Sequence, residues 1–312
     1  MNRAHRVPQV LIGLPYLASG PLAGATGGAP VLVSAGSLFR APGGRNRAGF
    51  GPINALAWRA GVSLDSAGFT AMKLGGYRWS ITEYVAFVVT NSGDGAMPFP
   101  WRWWSAMDYC CEPEIAGDRA EIERRIALTV ESYGDTLAEL EGWRQGGVTD
   151  VPDPMPILQG RTPADYVACA RALAAKIDQV HPCSCHKGDQ DCGAEWHRDR
   201  AGLPALVGLG SVCRRDLHGP EGLIAVLEAL DAELAPGVRL HLFGVKGQAV
   251  AHLAPFLHRI ESMDSMAWDT RARITAREAG IPNDTAHRAA HMRAWYTRQV
   301  DALEAVADQV AG

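Results

Sequence analysis

The chain has 312 residues, 47% hydrophobic and 21% charged, enough to bury one large α/β core or two smaller ones, as in a soluble, enzyme-sized protein. A formal net charge of −4 provides no overall basic field, so contact with nucleic acid has to come from local arginine clusters. No apolar run of membrane-spanning length occurs, and the Pro-interrupted start is too short for a signal peptide, so a cytoplasmic protein is expected.

An apolar segment from Val10 to Tyr16 opens the chain, and after a Gly/Ala/Pro-rich loop the run near Val31 to Ser34 reads as a buried strand. Val62 to Leu64 forms the next strand and runs into Asp65, followed by small residues that let backbone approach a ligand. Ile81 to Thr90 reads as a helix and Gly93 to Pro100 as a loop. Trp101, Trp103 and Trp104 lead into a strand S-A-M-D-Y-C with an acid, Asp108, toward its end. Over 119–143, Ile122, Ile126, Val130, Tyr133, Leu137 and Leu140 recur at spacings of three and four, an amphipathic helix that Gly146 and Gly147 end. The strand M-P-I-L-Q-G finishes at Gln159 and Gly160, and a helix starts at Thr162 with Pro163 in its first position.

A Cys/His segment over 181–197 interrupts this rhythm. It is followed by the strand A-L-V-G-L-G-S, a helix from Leu223 to Leu234, the strand V-R-L-H-L-F-G-V and a helix from Val250 to Leu257. A strand carrying Ile260, Ser262 and Asp264 on one face comes next, then a cationic segment with Arg271 and Arg273, and a long helix over 284–310.

Alternating strands and helices argue for parallel βαβ units, and seven or eight strands fit a (β/α)8 TIM-like barrel better than an open sheet. The whole chain, 1–312, reads as one barrel domain with an insertion at 181–200 and a C-terminal helix. No G-x-G-x-x-G or P-loop pattern stands in the strand–loop–helix setting that would mark a dinucleotide or nucleotide site. A barrel would bring the strand-end residues Asp65, Asp108, Gln159, Gly208, Gly210 and Asp264 to one rim. Asp264 alone could equally cap the helix after it, but several strands end in the same kind of residue. Two carboxylates with amide and backbone donors suit glycosidic-bond chemistry, and Asp108 with Gln159 matches the edge of a heterocyclic base, which points to base exchange rather than sugar hydrolysis.

Seven cysteines, an odd number with three between Cys183 and Cys192, look like metal ligands rather than a disulfide framework. Cys183, Cys185, Cys192 and His197 form C-x-C-x6-C-x4-H, a closed set for one structural zinc, with His181 and His186 competing as the fourth ligand and a loop of reduced surface thiols as the alternative.

In these blocks the sequence resembles the tRNA-guanine transglycosylase superfamily, more closely its phage and bacterial branch that inserts 7-deazaguanines into DNA. L-D-S-A-G-F (64–69), A-M-D-Y-C (106–110), I-L-Q-G (157–160), V-G-L-G-S-V-C-R-R (207–215), H-L-F-G-V-K-G (241–247) and M-D-S-M-A-W-D-T-R-A-R (263–273) are similar to that family's motifs and stand in its order. The resemblance implies a base-exchanging pentosyltransferase, with Asp264 as nucleophile at the sugar C1′ and Asp65 as general acid and base. It implies that Asp108 binds the 2-amino edge of the base, that Gln159 and the backbone at Gly208 to Gly210 read its oxygen and 7-substituent, and that Ser66 and Phe69 complete the base site. The zinc pattern departs from the family's: the spacing is wider and the cluster precedes the Gly-rich strand. Arg214, Arg215, Arg271 and Arg273 are candidates to hold phosphates, with solvated surface arginines the equal alternative. The three tryptophans are candidates for base stacking or for core. The expected partners are guanine-containing DNA and a free 7-deazaguanine base such as the 7-cyano form, with no membrane. A phage-encoded protein would work in the host cytoplasm. DNA is favoured over tRNA by the 207–215 and 263–273 blocks, by a compact C-terminus and by the lack of an appended RNA-binding domain. Transglycosylation of tRNA and an inactive, zinc-stabilised nucleic-acid binding protein are the alternatives.

Overall fold

The computed structural model describes residues 7–16, 21–40, 48–51, 53, 61–92, 101–180 and 202–311. Short apolar runs become strands, in chain order β1 (Gln9–Leu14), β2 (Val31–Ser34), β3 (Phe39–Arg40), β4 (Gly49–Phe50), β5 (Val62–Asp65), β6 (Trp101–Trp104), β7 (Ile157–Leu158), β8 (Leu206–Leu209), β9 (Arg239–Leu242) and β10 (Ile260–Ser265). The helices are α1 (Pro21–Ala25), α2 (Gly68–Lys73), α3 (Ile81–Ser92), α4 (Arg119–Gln145), α5 (Pro163–Val180), α6 (Leu223–Glu233), α7 (Ala267–Ala279) and α8 (Thr285–Ala311).

Apart from β3 and β4, which pair as a small antiparallel ribbon, the strands form one parallel sheet ordered β6-β5-β2-β1-β10-β9-β8-β7. Its two edges approach each other: Ser105 and Met155 form a parallel bridge, Met155 N–H donates to the Trp104 carbonyl at 2.8 Å, and Ala106 N–H donates to the Met155 carbonyl at 3.0 Å. The sheet is therefore curled, and its strands follow chain order around the curl. Strand alternation sends side chains to two separate cores. Leu11, Leu32, Trp103, Met155 and Ile157 pack together on the inner face, joined by Leu206 and Phe243. The larger core holds the outward residues, such as Ile12, Val31, Leu64, Leu209 and Met263, with the helices. Other inward positions are polar, among them Ser63, Asp65, His241, Ser262 and Asp264, and Asp65 and Asp264 stand at or next to the ends of β5 and β10.

The long helices lie where apolar spacing placed them. Asp118 caps α4 by accepting the Glu121 N–H at 2.8 Å, and Thr162 accepts the Asp165 N–H at the start of α5.

Several local expectations are corrected. The tryptophans do not lead into a strand; they form it, Ser105 and Ala106 still bond to neighbouring strands, and residues 107–110 leave the sheet, with the Asp108 N–H donated to the Tyr77 hydroxyl at 3.0 Å. M-P-I-L-Q-G shrinks to Ile157–Leu158, because the Gln159 N–H turns to the Cys169 Sγ at 3.4 Å. The helix expected from Val250 to Leu257 is two 3-10 turns, Gly247–His252 and Ala254–Phe256, since Pro255 has no N–H to continue a helical ladder. The cationic segment after Asp264 is itself a helix, α7, with Trp268, Ala272 and Ala276 buried. The Cys/His segment, with Cys183, Cys185, Cys192, His197, His181 and His186, lies outside the described residues, as does the loop expected from Gly93 to Pro100. No helix among the described residues is long and apolar enough to cross a membrane.

Candidate active site

A cavity of about 900 Å3 opens where the parallel strands end, and Asp65, Asp108, Gln159, Gly210 and Asp264 all line it. In parallel α/β sheets this carboxyl end is where ligands bind, because loops from several strands converge there.

Asp264 sits on the inner face of β10 and is almost fully buried. Its Oδ1 accepts the Gly244 N–H at 2.8 Å, and among the described residues Oδ2 meets no hydrogen-bond donor. Gly244 takes φ 64°, a left-handed conformation that suits glycine, and a Cβ there would lie 2.7 Å from that of Cys213. Glycine is thus what allows the turn after β9 to aim an N–H at Asp264.

Asp65 ends β5, held by the Ala67 N–H and the Ser34 hydroxyl. Burial is the main cause that lifts its carboxyl to about 7, with the nearby charges of Asp108 and Asp264 adding to it. A carboxyl that exchanges its proton near neutral pH is suited to act first as acid and then as base.

Asp108 is fixed by three neighbours: the Ser66 hydroxyl donates to Oδ1 at 2.6 Å, Gln159 Nε2 donates to Oδ2 at 2.5 Å, and the Tyr77 hydroxyl donates to the Asp108 carbonyl at 2.8 Å. Burial raises Asp108 to about 6 even though the Ser66 and Gln159 hydrogen bonds pull it down. Gly68 leaves room for this carboxylate, since a Cβ there would come within 2.6 Å of Asp108 Oδ1. Gln159 Oε1 in turn receives the Ser211 hydroxyl at 2.6 Å, and Ser211 Oγ also lies 3.0 Å from the buried Glu112. Gly210 lets this amide lie flat on the backbone, because a Cβ would approach Gln159 Nε2 to 2.3 Å. The result is a rigid edge of acceptors and one amide, the pattern a purine's donor and acceptor edge needs.

Cysteines also border the cavity. Burial pushes Cys213 up to about 11 and Cys110 higher still, so both are thiols at neutral pH and neither is an activated nucleophile.

The remaining candidates separate. Phe69 lines the cavity, with the Arg214 guanidinium 4.7 Å from its ring centre, and Ser66 stands behind the wall as a support for Asp108. Gly208 lies deeper, where a Cβ would collide with Ile157 and Phe243, so it serves inner packing and does not line the cavity. Arg214 and Arg273 are exposed on the rim, each beside an acid, Glu114 and Asp269. Arg271 is exposed but does not line the cavity. Arg215 turns inward, donating to the carbonyls of Gly160, Arg161, Ser211 and Glu221 and to the Tyr166 hydroxyl, which removes it from the phosphate-binding candidates. Trp101, Trp103 and Trp104 do not line the cavity; Trp104 is fully buried and donates to the Pro152 carbonyl, and Trp103 packs on His241 and Phe243.

Sequence reasoning missed Glu112, Ser211, His241 and Lys246. Glu112, Ser211 and Lys246 line the cavity, and His241 Nε2 lies 3.4 Å from Asp264 Oδ1. No group of three or more His, Cys, Asp or Glu that could hold a metal ion occurs among the described residues.

No curated protein matches the chain. Among protein families, DpdA, described as DeoxyPurine in DNA protein A, matches residues 17–180 and 190–311, leaving out 181–189 within the Cys/His segment. With most of its length matched and strand-end acids gathered in one cavity, the chain belongs to the DpdA family of DNA deazapurine modification, whose members are transglycosylase-type enzymes.

Proposed function

We propose that this protein exchanges guanine in DNA for a 7-deazaguanine base, on a TIM-like (β/α)8 barrel, through a covalent bond between Asp264 and the deoxyribose C1′. The observation that carries this reading is the pair Asp65 and Asp264 facing one cavity, one tuned to about 7 and the other with an oxygen free to attack.

In the first step Asp264 Oδ2 attacks C1′ as the C1′–N9 bond breaks, and the bonding pair leaves with guanine, which takes a proton from Asp65. In the second step Asp65, now ionised, takes the N9 proton of the incoming base. The new N9–C1′ bond forms as the Asp264 carboxylate departs, so atoms and charge return to their starting balance. Asp108 and Gln159 hold the base edge through both steps. A glycosidic bond inside a duplex cannot reach Asp264, so the target nucleotide has to be flipped or unpaired. Arg214, Arg273 and Lys246 at the rim supply local cations for its flanking phosphates.

The Cys/His segment carries a separate proposal. Three thiolates and an imidazole from Cys183, Cys185, Cys192 and His197 suit tetrahedral zinc and leave no ligand position open, so the metal would support folding and take no part in the chemistry.

Nucleoside mass analysis after incubation with a 7-deazaguanine base, on DNA and on unmodified tRNA side by side, tests the function. Modified deoxynucleoside in DNA supports it. Modification of tRNA alone replaces it with the tRNA reading.

A further inference from the structure

We infer that His241 is a positioning residue for the nucleophile: it donates from Nε2 to Asp264 Oδ1, reserves Oδ2 for attack on C1′, and stabilises the carboxylate when it leaves. The inference rests on the proposed role of Asp264.

His241 is fully buried on the inner face of β9, opposite Ser262 in the register with β10. Its ring is wedged between Trp103 and Phe243, each 4.6 Å away between ring centres, so it cannot turn freely. Nδ1 is 2.8 Å from the Ser262 hydroxyl, and Nε2 points to Asp264 Oδ1 at 3.4 Å, out of line for a full hydrogen bond. Among the described residues Nε2 is therefore a buried polar atom without a hydrogen-bond partner, a costly state for an apolar interior to keep. A carboxylate oxygen only accepts, so toward Asp264 the hydrogen has to sit on Nε2, and Nδ1 then accepts from Ser262. Catalytic hydrogen bonds are often long in an empty site and shorten in the reacting complex.

With the Gly244 N–H already on Oδ1, a second donor from His241 fixes the carboxylate plane and leaves Oδ2 as the attacking atom. When the Oδ2–C1′ bond forms, Oδ1 becomes a carbonyl oxygen. When that bond breaks, negative charge returns to Oδ1, where both donors point. His241 should thus matter most in the second step, the departure of Asp264.

Single-turnover kinetics on DNA separate formation of the covalent adduct from its chase by labelled guanine. His241→Phe keeps an aromatic ring between Trp103 and Phe243 but has no donor, whereas His241→Gln retains an N–H at a similar reach. In His241→Phe the chase should slow on the order of 100-fold, the magnitude typical of losing one donor to a developing charge, with formation less affected and KM for the base little changed. His241→Gln should recover most of the chase rate, and Ser262→Ala should slow it to an intermediate extent. Wild-type chase in a folded His241→Phe protein, or equal loss in the Phe and Gln variants, overturns the inference. Asp264→Asn in the same assay isolates the underlying reading: if that variant still forms adduct, the assignment of Asp264 falls and this inference with it.

Discussion

Asp65 holds its carboxyl among protein atoms beside Asp108 and Asp264, and burial lifts its proton affinity from the usual 3.8 to about 7. Between those two values the folded protein keeps a proton that the unfolded chain has lost. The stability this contributes is complete below about pH 4 and disappears as pH rises through about 7. Asp65→Asn should therefore melt above wild type at about pH 8, by up to a few kcal/mol, and lose that advantage near pH 4, while exchange is abolished. Melting curves across this range check it; a variant less stable at high pH would contradict the assignment. The same group should give kcat/KM an alkaline limb with an apparent midpoint near 7. At Gly210 the constraint is steric. Gln159 is held by Asp108 and Ser211, so Gly210→Ala has to displace it, and base affinity measured by equilibrium binding should fall roughly 10-fold or more. Asp65, Gln159, Gly210 and Asp264 were legible because acids, amides and glycines at strand ends stand out in sequence, whereas Asp108 lies past the end of β6, on a segment expected to be a strand. Glu112, Ser211 and His241 were not, since their place depends on loop paths and on the register of neighbouring strands.

Elements with a long apolar period, such as α4, α5 and α8, were readable to within a few residues, because side-chain spacing and caps act locally. The short strands were less so: β7 has two residues, and its place in the sheet rests on pairing with β8 and on the Met155 bridge. The loop after β8 shows how similar residues part company. Arg215 ties this loop to Gly160, Arg161 and Tyr166, whereas Arg214 lies exposed over Phe69. Arg215→Ala should lower the melting temperature and leave the salt dependence of DNA binding unchanged. Arg214→Ala should keep the melting temperature and reduce the slope of log affinity against log salt by about one. DNA binding over a salt series distinguishes the two, and equal slopes for wild type and Arg214→Ala would remove Arg214 from the DNA surface.

The whole molecule relies on a sheet that curls until β6 and β7 meet, bringing residues distant in sequence around one cavity. Alternation of strands and helices made that architecture readable, whereas the ribbon β3–β4 was not, because its aromatic contacts are tertiary: Phe50 stacks on Phe87 at 4.4 Å and meets Trp79 edge-on. The Cys/His segment is expected to act at this scale too. About one zinc per chain should copurify, and Cys185→Ser should lower thermal stability before it affects exchange, since a closed site contributes folding energy. Metal analysis checks this, and protein purified without chelator but free of zinc would refute it. Covalent base exchange on Asp264 can be caught by quenching the reaction on DNA before an incoming base is added and mapping the adduct by peptide mass analysis. A deoxyribose-linked adduct is expected on the tryptic peptide 260–271, placed at Asp264 and absent in Asp264→Asn. An adduct on Asp65 or Asp108, or exchange that proceeds with no adduct on Asp264, would contradict it.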